Sequence, residues 1–104
     1  MWISMKSRSS TCPIGEVVAL FGDSCSLLIV RDLLEGPKRF SDLEKSLTAS
    51  TRTLAKKLKQ LEHEKIVMRK ANKESACVQY RLTAKGAAFQ DVVDAMRSYG
   101  KKYL

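Results

Sequence analysis

Leu54, Leu58 and Leu61 recur at helical spacing through LTASTRTLAKKLKQLEHEKIV, residues 47–67, and at about 100° per residue they fall within one narrow wedge. Arg52, Lys56, Lys59 and His63 gather on the opposite side. One face packs and the other presents positive charge. Ser50 or Thr51 is placed to cap the start, because a hydroxyl there accepts from an orphan amide of the first turn. Small polar side chains beside free amides suit a phosphate. A solvated surface helix carries the same stripe, so this segment alone leaves both readings open.

The flanking pattern supplies the context. Pro13 suits a first helical turn and Gly22 a stop, with Ile14, Val17, Val18 and Phe21 on one face between them. Asp23 or Ser24 then caps a second helix that closes at Gly36-Pro37; Leu27, Leu28, Ile29, Val30, Leu33 and Leu34 cover it nearly all round, which makes it central. After a short extended piece at KRF, Ser41 is expected to cap a short helix with Leu43 and Leu47 inward, and Thr48-Ala49 turns into the basic helix. From residue 67 the period changes to two. Val67 and Arg69 oppose Met68 and Lys70; Val78, Tyr80 and Leu82 alternate with Gln79 and Arg81; residues 72–75 form a polar tip. Thr83 is expected to cap one long final helix, with Phe89, Val92, Val93, Met96, Tyr99 and Tyr103 at three- and four-residue spacing.

A short helix, a tight turn, a long basic helix and a hairpin, in that order, describe a winged helix-turn-helix with an added helix at each end. The fold class is mainly α with a small β-hairpin (α+β). Residues 1–11 read as a flexible basic arm and residues 12–104 as a single domain.

Charge gives the stripe a wider setting. Nineteen Lys+Arg against eleven Asp+Glu leave 104 residues with a formal net charge of +8, a surface that attracts a polyanion. No apolar run approaches the roughly 18 residues of a spanning helix, and the first ten residues lack a signal-peptide core, so the expected location is cytoplasmic, with no membrane partner. Cys12, Cys25 and Cys77 are odd in number and widely spaced, which indicates neither a disulfide framework nor a metal site. With one histidine, no glycine-rich phosphate loop and no obvious carboxylate pair in an apolar setting, neither catalysis nor a cofactor is expected.

CPIGEVVALFGDSCSLLIVRDLLEGPKRFSDLEKSL, STRTLAKKLKQLEHEKIV and VQYRLTAKG, in this order, resemble the HxlR-type family of bacterial winged-helix transcription regulators, relatives of the MarR-type repressors. The resemblance spans residues 12–100. Two places depart from it: Cys25 stands where the family usually has a tryptophan, and KESACVQY replaces a stretch that often carries prolines and a basic residue. The resemblance implies a regulator. It also implies that Cys12, in its Cys-Pro pair, senses oxidants or electrophiles as in several family members; a thiol at a helix start near Lys6 and Arg8 has the surroundings for it, while a buried packing role is the alternative.

The expected partner is double-stranded DNA, read by a homodimer on a pseudo-palindromic site. Thr51, Arg52 and Lys56 are the candidates for base edges, with a phosphate grip as the alternative for Arg52; Ser50 stands at the helix start, and Lys56 and Lys59 can track the backbone. Ser41, Lys38 and Arg39 could bond phosphates. In the wing, Arg69, Lys70 and Lys73 are candidates to enter the flanking minor groove or to contact the DNA backbone. Ile14, Val17, Val18, Phe21, Phe89, Val92, Val93, Met96, Tyr99 and Tyr103 are expected to dimerise, since the terminal helices carry more apolar face than a chain of this length needs. The sequence names no small-molecule inducer. A winged-helix module that docks on protein or RNA is the competing reading, because one fold serves several functions.

Overall fold

The computed structural model describes residues 12–71 and 77–104. Elements run α1 (Pro13–Phe21), α2 (Ser24–Leu33), β1 (Lys38–Arg39), α3 (Phe40–Ser46), α4 (Thr51–His63), β2 (Val67–Ala71), β3 (Val78–Leu82), α5 (Ala84–Ala87) and α6 (Gln90–Tyr103). The three strands form an antiparallel sheet in the order β1-β3-β2. This is the winged helix-turn-helix architecture the pattern predicts, and the short extended piece at Lys38 is the third strand. Among the described residues no single helix is long and apolar enough to cross a membrane.

α2 is the pillar. Asp23 caps it by accepting from the Ser26 amide at 2.8 Å, and the Ser26 hydroxyl adds a second bond to the same carboxylate at 3.1 Å. Ile29 and Val30 are fully buried and Leu33 nearly so, against Leu43 and Leu47 of the α3 region and Leu54, Leu58 and Leu61 of α4. Each such side chain contributes about 1.5–3 kcal/mol by leaving water. The helix ends where the backbone demands glycine: Gly36 has φ +145°, and a Cβ there would meet nothing, so the constraint is the dihedral and not space.

Three expectations need correction. α3 begins at Phe40, not after a Ser41 cap. Asp42 reaches back to accept from the Arg39 amide at 2.9 Å, which fixes the helix start and leaves Ser41 exposed in its first turn. The final helix is not continuous from Thr83. Thr83 caps only α5, its hydroxyl accepting from the Gly86 amide at 3.1 Å, and the chain turns at Ala88-Phe89 before α6. That turn drops the Phe89 ring onto Phe21, with centroids 4.3 Å apart and planes 28° apart. Third, Phe21, Phe89 and Val93 belong to the chain's own core, which removes them from the apolar side chains open to a partner.

α4 stops in a Schellman arrangement: the Ile66 amide donates to the Leu61 carbonyl at 2.9 Å and the Lys65 amide to the Glu62 carbonyl at 3.0 Å. Lys65 occupies the left-handed position, φ 65°, that glycine usually fills.

Candidate nucleic-acid interface

The helix-turn-helix is held by its own polar side chains. The Ser50 hydroxyl accepts from the Thr53 amide at 3.1 Å and so sets the first turn of α4. The Thr51 hydroxyl donates to Glu44 Oε2 at 2.6 Å, tying α4 to α3 across the turn. Both side chains at the helix start are therefore engaged within the chain; with its proton given to Glu44, the Thr51 hydroxyl keeps its acceptor lone pairs, and its methyl, for a base.

Arg52, Lys56 and Lys59 are different. All three are exposed on the face opposite Leu54, Leu58 and Leu61, and no ion pair engages them among the described residues. The intervening cation, Lys57, is half-buried and turned to another purpose: its ammonium lies 3.2 Å from Asp23 Oδ2 and joins the cap of α2 to α4. Burial works against the Asp23 charge, but the Ser26 amide and Lys57 outweigh it and hold the carboxyl below its ordinary range. The neighbouring Cys25 thiol is pushed the other way, first by burial and then by the Asp23 charge, with Lys57 offsetting part. Cys25 is thereby kept as a thiol that packs against the core.

The other predicted residues scatter. Lys38 pairs with Glu35 at 3.4 Å, and Arg39 Nη1 donates to Cys77 Sγ at 3.3 Å, from the strand beside the wing. Arg69 and Lys70 are exposed on opposite faces of β2, opposite Tyr80 and Gln79 of β3. Lys73, the expected wing tip and the N-terminal arm lie outside the described residues. Cys12 is exposed at the N-cap of α1 and makes no capping bond there, so within this chain it is not the buried packing residue that was one alternative.

Sequence reasoning missed a clamp on the far end of α4. The Thr83 hydroxyl donates to the Lys65 carbonyl, the Thr83 amide to the Ile66 carbonyl at 3.0 Å, and the Lys85 ammonium to the Glu64 carbonyl at 2.9 Å. Gly86 completes it, because a Cβ there would sit 2.2 Å from the Ile66 oxygen. The signal was present in TAKG, but only as a helix start.

The HxlR-like helix-turn-helix family matches residues 20–104. The chain belongs to this family. Among its relatives, the HTH-type transcriptional regulator sll1512 of Synechocystis is 39% identical over 95 residues, 89% of this chain and 70% of that protein. The HTH-type transcriptional regulator YodB of Bacillus subtilis is 35% identical over 98 residues, 91% of this chain and 88% of YodB. The reduced form of YodB superposes with a TM-score of 0.77 over 89% of this chain and 94% of that one, at 35% identity. The crystal structure of PA1607 gives 0.88 over 95% and 70%, at 32% identity. This HxlR-like chain is a transcriptional regulator of the HxlR type, as its relatives are named.

Proposed function

We propose that the chain binds DNA sequence-specifically as a homodimer on a two-half-site operator. The observation that carries the reading is the exposed row Arg52, Lys56 and Lys59 on α4, left without ion-pair partners among the described residues while Lys57 between them is paired. A solvated helix has no need to sort its cations in this way. Arg52, in the first turn, is the side chain for a base edge; Lys56 and Lys59 follow the backbone. The second copy is supported by apolar side chains in water: Ile14 and Val17 on α1, and Val92, Met96, Tyr99 and Tyr103 on α6.

Cys12 is the proposed sensor. It is exposed, Cys25 is kept as a thiol by its surroundings, and the relative YodB has been solved in quinone-bound and diamide-treated forms. At the start of α1, a modified sulfur would alter packing between the terminal helices and hence the spacing of the two α4 helices.

Selection of bound sequences from random duplex DNA tests the reading. A palindromic motif with half-sites about one helical turn apart is the expected result; enrichment of no motif would remove sequence-specific reading. Cys12→Ser, assayed on the selected duplex with and without diamide, should bind as wild type and lose the response. An undiminished response would move the sensor elsewhere.

A further inference from the structure

We propose that the angle between α4 and the β2/β3 sheet is a seat for one phosphate of the duplex backbone, and that Tyr80 is one of its contacts. The inference rests on the DNA-binding reading above and names a subsite of it. A cavity of about 250 Å³ opens at this angle, lined by Lys56 and Lys59 of α4, Arg69 of β2 and Tyr80 of β3, over Ala55 and Leu58. Strand register sets Arg69 directly opposite Tyr80, so both stand on the sheet face turned toward α4. On the other side of Tyr80 the register partner is Lys38, but that ammonium is taken by Glu35.

Three cations therefore converge on one cavity, with no ion pair to any of them and no hydrogen bond to the Tyr80 hydroxyl among the described residues. Like charges gathered this closely repel, and an anion between them reverses the sign of the interaction. Glu62, the one acidic side chain lining the cavity, works against that anion. The cation set fits a phosphate: Arg69 offers a planar fork, the two lysines offer point charges, and a phenol offers a neutral donor. The apolar floor formed by Ala55 and Leu58 fits the adjoining sugar. With α4 in a major groove and the wing beyond it, the sugar-phosphate ridge that borders the groove passes along this seam.

The test is the salt dependence of binding to the selected duplex, measured by fluorescence anisotropy. Lys59→Gln and Arg69→Gln replace exposed side chains, and Tyr80→Phe keeps the half-buried ring, so all three should fold. Because the two cations share one phosphate, each charge variant should lower the slope of log affinity against log salt by less than about 0.9 per protomer, and the two together by no more than about 0.9, which near 0.1 M is at most about eightfold in affinity per protomer. Tyr80→Phe should weaken binding about fivefold per protomer, the value of one net hydrogen bond, with the slope unchanged. A duplex carrying one neutral methylphosphonate per half-site at the seated position should bind wild type and all three variants alike. Variants that bind as wild type, or losses that persist whichever linkage is neutralised, would overturn the seat while leaving the regulator reading intact. Wild type failing to hold any duplex would remove both. Inorganic phosphate titrated against wild type is the second arm: saturable shifts of the Tyr80 ring signals, without any methylphosphonate coupling, would assign the cavity to a small free anion and overturn the backbone assignment.

Discussion

α4 and α6 are both amphipathic and both long for this chain, yet they end in opposite states. On α4 the apolar edge is gone from water, with Leu54, Leu58 and Leu61 at 0%, 1% and 0% exposure. On α6 only Val93 is buried, while Val92, Met96, Tyr99 and Tyr103 stand at 40%, 49%, 61% and 62%. Periodicity reports that a helix has an apolar side; it does not report what covers that side. α4 is complete within one chain, so its charged face is the part left for a ligand. For α6 the apolar face itself is left over, and Tyr99 and Tyr103 pack on each other at 4.9 Å in place of a core.

The sharpest test of this contrast is Leu58→Ala, which should cost about 2–5 kcal/mol and lower the melting temperature by about 10 °C or more. A loss near zero would mean that α4 is not held from inside. The matching substitution on α6, Met96→Glu with Tyr103→Glu, should leave the helical circular dichroism intact but weaken self-association about a hundredfold, which is about 2.7 kcal/mol. Sedimentation at micromolar concentration should show a dimer for wild type and a monomer for the variant; a wild-type monomer would break the comparison at once.

Smaller effects probe the stop of α4 and the contact of its middle with α2. Lys65→Gly removes a left-handed lysine, a conformation that costs an L-residue about 1–2 kcal/mol, partly offset by the unfolded-state freedom of glycine. The net expectation is a gain of about 0.5–1 kcal/mol, read as a rise of a few degrees in thermal denaturation. At the other contact, Asp23→Asn retains a cap acceptor but removes the charge that meets Lys57. Because the folded pKa of Asp23 is depressed, its contribution is present above the unfolded carboxylate value and is lost as pH falls through the folded one. Wild type should therefore lose slightly more stability than Asp23→Asn on acidification from neutrality; parallel pH profiles would show that the contact contributes nothing.

Much of this was legible from local chemistry. The Pro13 start, the Gly36 turn, the Ser50 cap and the change of period at Val67 each follow from one or two residues, and they suffice to order the elements. What escaped depends on distant partners. Nothing in AKGAAF breaks a helix by itself; the turn at Ala88-Phe89 comes with Gly86 held against the Ile66 carbonyl and Phe89 stacked on Phe21. Ser41 looked like a cap because serine often is one, but Asp42 supplied the acceptor from inside the helix. On the candidate site, the exposed cations of α4 were readable from the wheel, whereas the diversion of Thr51 to Glu44 and the meeting of Arg69 with Tyr80 are set by tertiary contact and strand register.

The clamp of Thr83, Lys85 and Gly86 on the end of α4 makes the protein a fixed gauge. The same segment that leaves β3 grips the carbonyls of Glu64, Lys65 and Ile66, the turn that joins α4 to β2, so the distance from helix to hairpin is reset only by releasing several polar contacts at once. On the DNA-binding reading proposed above, a duplex laid across both would take up any misfit itself, by opening or narrowing a groove at its more pliable base steps. Part of the sequence preference would then reside in how readily the DNA yields, at positions that no side chain touches.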